Sequence, residues 1–303
     1  MGRYFKGGKF KNRYKITGKL TALSPLHIGD GTMEADQNRF PKDEKDNKDF
    51  KYSTVMTDVN GRAYIPGSTI KGNLRHWVEQ LLTDFSDANL ACINSDARIK
   101  RLDEIIKKKK QSISFLHEAL MVSEYIFGSN VNEGKLEFWD AHMDKPPTIP
   151  ETHCNIAYSG YSDKKGTIIM KSVAIDPSTG TAAKNLLYNY EVVPRGAVFN
   201  LTVTGQNLTE DELGMLFFVL EGFNSAIYPV TLGAMGGIGF GRFKFLSEDI
   251  HCLTEHNLKR WLENALNNSH AGYAGLDKLP EEDRNQQIKQ FKDSFLSCVK
   301  GEM

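Results

Sequence analysis

The sequence predicts an α+β fold in which strands and helices mix without the regular alternation of a doubly wound sheet. Three observations carry this. Residues 14–24, YKITGKLTALS, alternate and are rich in β-branched side chains, the pattern of a strand that ends at Pro25. Residues 69–82, TIKGNLRHWVEQLL, instead place Ile70, Leu74, Trp77, Val78 and Leu81 on one helical stripe. Residues 232–247, LGAMGGIGFGRFKFLS, are a glycine-rich loop running straight into another strand.

The remaining elements follow in order. After LHIGDG comes a charged run, Pro41 to Phe50, with little to bury, so residues 26–53 read as a mobile loop. TVMTD (54–58), a turn at Asn60-Gly61 and a second short strand lead to Pro66-Gly67-Ser68. Ser68 reads as the N-cap of the helix, with Lys71 and Arg75 one turn apart on its surface. Residues 97–127 read as a further helical stretch, stopped by Gly128 and Asn130. GKLEFWDAHM (134–143) reads as one strand, 144–170 as an irregular excursion, and 171–205 as three strands joined by turns. Thr209 caps an amphipathic helix over 209–224 whose first turn is acidic, and residues 254–303 give two helices separated by a loop from Gly272 to Pro280. The order strand, helix, strands, helix, strand is compatible with one ferredoxin-like core carrying large insertions.

Composition narrows the class. The chain has 303 residues, 40% of them apolar, enough for one large domain or two small ones. Lys and Arg total 38, as do Asp and Glu, so the net charge is zero. That argues against nonspecific coating of DNA but leaves room for a local basic groove. No stretch approaches the length of a membrane span, and residues 1–14 lack the apolar segment of a signal peptide, so the cytoplasm is the expected location. Cys92, Cys154, Cys252 and Cys298 are far apart and form no CxxC pair, which argues against a zinc ribbon.

Four features can carry chemistry. Gly233, Gly236, Gly237, Gly239 and Gly241, ending at Arg242, let the backbone approach something bulky and turn amides toward phosphate oxygens. No GK[ST] follows, and a strand rather than a helix does, so this is neither a Walker loop nor a Rossmann turn. The bland alternative is a tight connection. Second, the start of the helix after Pro66, with Ser68, Lys71 and Arg75, is a phosphate cradle or simply a capped surface helix. Third, His27 is an acid-base or stacking candidate or a structural histidine. Asp30, Asp36, Asp43, Asp46 and Asp49 follow it, able to hold a divalent ion or merely solvated. Fourth, Tyr158, Tyr161, Tyr188 and Tyr190 lie among Lys164, Lys165, Lys171, Lys184 and Arg195. This mix suits a single nucleic-acid strand, or else is core packing.

LTALSPLHIGDG, DVNGRAYIPGSTIKGNLR, VAIDPSTGTAAKNLLYNYEVVPRGAVF and LGAMGGIGFGRFKF occur in an order that resembles the RAMP superfamily, most nearly the repeated backbone subunit of type III CRISPR effector complexes. The resemblance covers about residues 10 to 245. It implies a 1–250 domain with an RNA-recognition-like core, insertions at about 85–133 and 145–190, and a 251–303 helical extension. It also implies a thumb-like β-hairpin within about 150–195. It implies crRNA and target RNA as partners, together with other complex subunits, copies of this chain among them. On this chain His27, Ser68, Lys71, Arg75, Gly236, Gly237, Gly239 and Arg242 would hold RNA. The family's metal-dependent cleavage uses an Asp after the first strand. The usual spacing falls on Tyr52, so the acid is Asp49 or Asp36, with Mg²⁺ or another divalent ion, or the subunit does not cut. Two alternatives stand beside this: a capping or architectural subunit, and a metal-independent precursor-processing endoribonuclease with His27 as its base.

Overall fold

The structure, a computed structural model, describes residues 4–35, 51–83, 90–93, 95–108, 119–147, 161–267 and 277–301, except the side chains of 182–187 and 277. It is a mixed α+β architecture with two sheets and six α-helices among those residues.

The larger sheet is built on β1 (Asn12–Ala22), β9 (Val198–Gln206) and β10 (Phe243–Thr254). Its order is β11-β10-β1-β9-β6-β4, with β5 (Leu136–Phe138) also on β9; β6 is Ala141–Lys145, β4 Tyr64–Ile65 and β11 Asp277–Lys278. Every pairing in it is antiparallel. Helix α1 (Gly67–Leu82) crosses between β1 and β5, and α4 (Glu210–Glu221) between β9 and β10. The alternation of β1 explains its role: Ile16, Leu20 and Ala22 are buried while Lys15, Thr17, Lys19 and Thr21 point the other way. Those buried residues join Phe199, Leu201 and Val203 of β9 and Phe243, Phe245 and Ile250 of β10. One core unites them with Ile70, Leu74 and Val78 of α1 and with Leu213, Leu216, Phe217 and Leu220 of α4. Each such side chain contributes about 1.5–3 kcal/mol. Gly18 sits where the β1–β10 register shifts, and a Cβ there would meet Phe245 and the Leu246 carbonyl.

The second sheet has the order β2-β3-β8-β7: β2 Gly29–Ala35, β3 Lys51–Val55, β7 Ile168–Ile175 and β8 Ala182–Val192. β7 and β8 form an antiparallel hairpin around the Asp176–Thr181 turn. The insertion between α1 and β5 carries α2 (Asp96–Lys108) and α3 (Val122–Phe127), tied by Arg98, whose guanidinium donates to both oxygens of Glu124 at 3.0 and 2.6 Å. Beyond β10 lie α5 (Leu258–Asn267) and α6 (Glu281–Lys300).

Several expectations need correction. Residues 29–35 are not loop but a strand, because Asp30 accepts from Thr32 and Thr54 and closes β2 onto β3. The turn at Asn60-Gly61 is present, with Thr57 bridged antiparallel to Ala63 across it, but the strands on either side go on to different partners: β3 joins the second sheet and β4 pairs with β6. Residues 134–143 form two strands, broken at Trp139-Asp140, where α1 begins against the backbone. Helix α6 is not an appendage, since it buries Phe291, Phe295 and Cys298 in the main core, and β10 runs past residue 250 to Thr254. No helix among the described residues is long and apolar enough to cross a membrane.

One buried ion pair joins β5 to α4. Lys135, fully buried, donates to both carboxylate oxygens of Glu212 at 2.7 Å, and Glu212 also accepts from the Thr209 amide at 2.9 Å, closing the first turn of α4. Removing one partner strands the other charge away from water. Lys135→Met is therefore expected to cost about 3–5 kcal/mol, read as a lower urea midpoint at unchanged slope. Lys135→Met with Glu212→Leu should recover most of that loss.

Candidate nucleic-acid interface

Helix α1 starts two residues earlier than the sequence indicates. Pro66 is its N-cap, Ser68 lies inside the first turn, and no side chain caps the end. Instead the Gly67 amide donates to Asp140 Oδ1 at 2.8 Å, and a Cβ on Gly67 would run into the Phe138 carbonyl. This seats α1 on the β5–β6 break. Ser68 is exposed and Lys71 half-buried. Burial, then the positive charges of Arg75 and Lys6, push the Lys71 ammonium below its usual pKa. A cation held among cations is set to receive an anion. Arg75 departs from expectation. It donates to the buried Glu79 at 2.7 Å, and its Nη2 is buried without a hydrogen-bond partner. It supports the helix from inside rather than meeting a strand outside.

The glycine loop has two parts with different physics. Gly233 and Gly241 hold it in place. Both have positive φ (80° and 73°), and a Cβ would strike the His27 carbonyl at one and the Leu232 carbonyl at the other. The backbone there is bonded to the chain after β1: Ala234 N to His27 O, Gly241 N to Pro25 O and Leu23 N to Arg242 O. Gly236, Gly237 and Gly239 form an exposed 3₁₀ turn above that base. Gly239 has a positive φ of 88°, which accounts for it. Gly236 and Gly237 have neither a positive φ nor a neighbour that a Cβ would clash with. The same holds for Gly72, exposed beside Lys71 in α1, with no atom within 4 Å of its Cβ position. Glycine inside a helix costs about 1 kcal/mol against alanine, and nothing within the chain returns that cost. Three glycines without an internal reason thus lie beside Lys71 and Arg242, neither of which has a carboxylate partner among the described residues.

His27 is buried. Its Nδ1 lies 2.6 Å from the Glu191 carbonyl and its Nε2 3.4 Å from Ser53 Oγ, and it meets Tyr190 edge-on. It is part of the joint between the sheets, not a surface group. Asp36, Asp43, Asp46, Asp49, Tyr158 and Cys154 lie outside the described residues. Among those described, no three His, Cys, Asp or Glu side chains gather where they could hold a metal ion, and Asp30 is engaged by Thr32 and Thr54. Of the tyrosines, Tyr190 is core and Tyr188 exposed, while Lys165 is paired with Glu191.

The two amide-bearing groups are not neighbours. The glycine loop is bonded beyond the Ala22 end of β1, whereas α1 begins at Phe138 and Trp139, two to three strands across and level with Thr202 and Thr17, well back along the sheet. They share no bonding partner among the contacts described.

A third feature escaped the sequence reading. An open groove of about 820 Å³ borders the start of α1, lined by residues including Asp58, Arg62, Tyr64, Asp140, His142 and Lys164. Tyr64 and His142 are cross-strand partners of β4 and β6 with stacked rings, centroids 5.8 Å apart and planes at 23°. Asp58 accepts from the amides of Asn60 and Arg62, and its Oδ2 is 3.4 Å from His142 Nδ1. The Arg62 amide first, then the Asn60 amide and His142, hold that carboxyl below its usual pKa. The alternation of 141–145 put His142 outward, but only the nonlocal pairing brings Tyr64 to it.

A family model described as the RAMP superfamily matches residues 19–244. The chain belongs to the RAMP superfamily. No curated protein matches it at a significant level. The RAMP match runs from within β1 to the first residues of β10, so it takes in α1, the groove and the glycine loop, and leaves α5 and α6 outside. Membership points to a CRISPR-associated RNA-binding module.

The glycine assignments are testable without ligand. Gly72→Ala is expected to stabilise the protein by about 0.5–1 kcal/mol, whereas Gly241→Ala should destabilise it by more than that. Thermal unfolding of the two variants reads the opposite signs.

Proposed function

We propose that this chain is a crRNA-binding backbone subunit of a type III CRISPR RNA-targeting complex. The observation that carries the proposal is the set Gly72, Gly236 and Gly237, bare of side chains for no internal reason and set beside the unpaired Lys71 and Arg242. Close backbone approach plus isolated cations is what a ribose-phosphate chain requires, and such contacts position a strand without reading its sequence. Superfamily membership supports RNA as the ligand. In this reading the antiparallel order β10-β1-β9-β5/β6, crossed by α1 and α4, is a ferredoxin-like core, and the β7–β8 hairpin is the thumb. The strand would cross the sheet end from the glycine loop toward Ser68 and Lys71. The buried state of His27 gives no support to a metal-independent processing enzyme built on that residue. Cleavage of target RNA with Mg²⁺ at Asp49 or Asp36 is a separable part of the proposal. An assay of the assembled complex with Asp49→Ala and Asp36→Ala, with and without Mg²⁺, decides it.

The central test uses the full chain expressed with its complex. A short RNA should copurify, with affinity falling as salt rises. Gly237→Ala should weaken binding while leaving thermal stability within about 0.5 kcal/mol. Lys71→Ala and Arg242→Ala should each flatten the salt slope by about one unit. A wild-type particle carrying no RNA would refute the proposal.

A further inference from the structure

We infer that the groove at the start of α1 is a nucleotide-binding slot, in which the exposed face of His142 stacks a base and Arg62 and Lys164 hold the adjoining phosphate. The inference rests on the RNA-binding reading and adds a site to it.

The ring stack supplies the first argument. His142 projects from the outward face of β6, with its side chain 58% exposed, and Tyr64 of the neighbouring edge strand β4 backs one face of the ring. The other face is open to the groove. Asp58 lies 3.4 Å from Nδ1 and is itself held by two backbone amides, so the ring has a fixed neighbour on its edge as well as Tyr64 on its face. A flat, oriented ring with one free face suits stacking against a base.

Charge supplies the second. Arg62 and Lys164 are exposed, line the same groove, and have no carboxylate partner among the described residues. Gly61 makes this possible. It carries a positive φ of 77°, and the Lys164 stem lies across it, with Cε 2.8 Å from where a Cβ would stand. A side chain at 61 would displace Lys164 from the groove.

Chemistry selects the ligand class. An acidic peptide would satisfy the two cations but would meet Asp58 and Asp140 on the same walls. A nucleotide presents one phosphate and a base whose polar edge carries N–H donors, matching two cations, a ring and two carboxylates. The volume of about 820 Å³ lies within the range of small-ligand sites. The slot also continues the proposed strand path, because Asp140 lines it while holding the Gly67 amide next to Ser68. The nucleotide could be part of a bound strand or free.

The test is anisotropy of a labelled oligoadenylate on the full-length protein. His142→Ala should weaken binding by about 5- to 150-fold, the span that stacking on one ring covers. His142→Phe, which keeps a ring but loses the bond to Asp58, should retain most of it. Arg62→Ala with Lys164→Ala should flatten the salt slope, and an abasic analogue should bind the wild type as weakly as oligoadenylate binds His142→Ala. Competition by free AMP in the wild type, lost in His142→Ala, assigns the slot to free nucleotides as well; without competition it serves the strand alone. Unchanged binding in His142→Ala and in the double variant, with loss in Gly237→Ala, overturns the slot and leaves the RNA-binding reading intact. No oligonucleotide binding by the wild type fails both.

Discussion

The chain from Ser24 to Ile28 is bonded along both of its edges, and the interface depends on that clamp. On one side Leu26 exchanges hydrogen bonds with Val193, and His27 Nδ1 meets the Glu191 carbonyl. On the other the carbonyls of Pro25 and His27 accept the amides of Gly241 and Ala234. The buried Glu191 carboxylate extends the clamp to Val55 N at 3.1 Å and Thr167 Oγ1 at 2.6 Å, so three strands of the second sheet fix one short segment. Fixing that segment fixes the base of the glycine loop. The exposed turn at Gly236–Ile238 is then presented by a rigid mount, with two of its three positions bare of side chains. The same logic governs α1, whose first amide is anchored on Asp140 across a break between two strands.

Electrostatics divides the cations into two populations. Lys6, Arg13, Lys19, Arg98, Lys135 and Lys165 are spent on carboxylates within the fold. Lys71, Arg242, Arg62 and Lys164 have no such partner among the described residues. A net charge of zero is therefore an average over a chain in which some bases are spent on carboxylates of the fold while others, these four among them, are not. Exposed charges of this kind act within about 8–10 Å at physiological salt, which favours a local grip over long-range attraction.

The sequence made β1 and α1 legible through a clean period, α4 through its acidic first turn and Thr209, and the strand after the glycine loop through the short alternation at Phe243–Leu246. Helix α4 is not the amphipathic helix expected, since it is buried on all sides. It also located the glycine loop and Lys71. What it concealed was set by partners far along the chain. Arg75 has the spacing of a surface base, yet a buried Glu79 one turn on draws it inward. Ser68 looks like a cap, yet Asp140, more than seventy residues away, takes the amide a cap would serve. His27 reads as a reactive group until Glu191 and Ser53 enclose it. The Tyr64–His142 pair arises from a two-residue strand, too short to carry any pattern.

Helix α6 carries a consequence for how the chain reaches its final state. Gly214 of α4 lets the helices approach until a Cβ there would strike the Phe291 carbonyl, and Phe217 stacks on Phe291 at 6.2 Å. Before α6 is synthesised, the flank of α4 that meets Phe291 and Phe295 lacks that cover. Domains form broadly in order of emergence from the ribosome. Here α6 completes the same core that seats α1 and the larger sheet, so a nascent chain keeps that apolar face within reach of chaperones and proteases until α6 emerges.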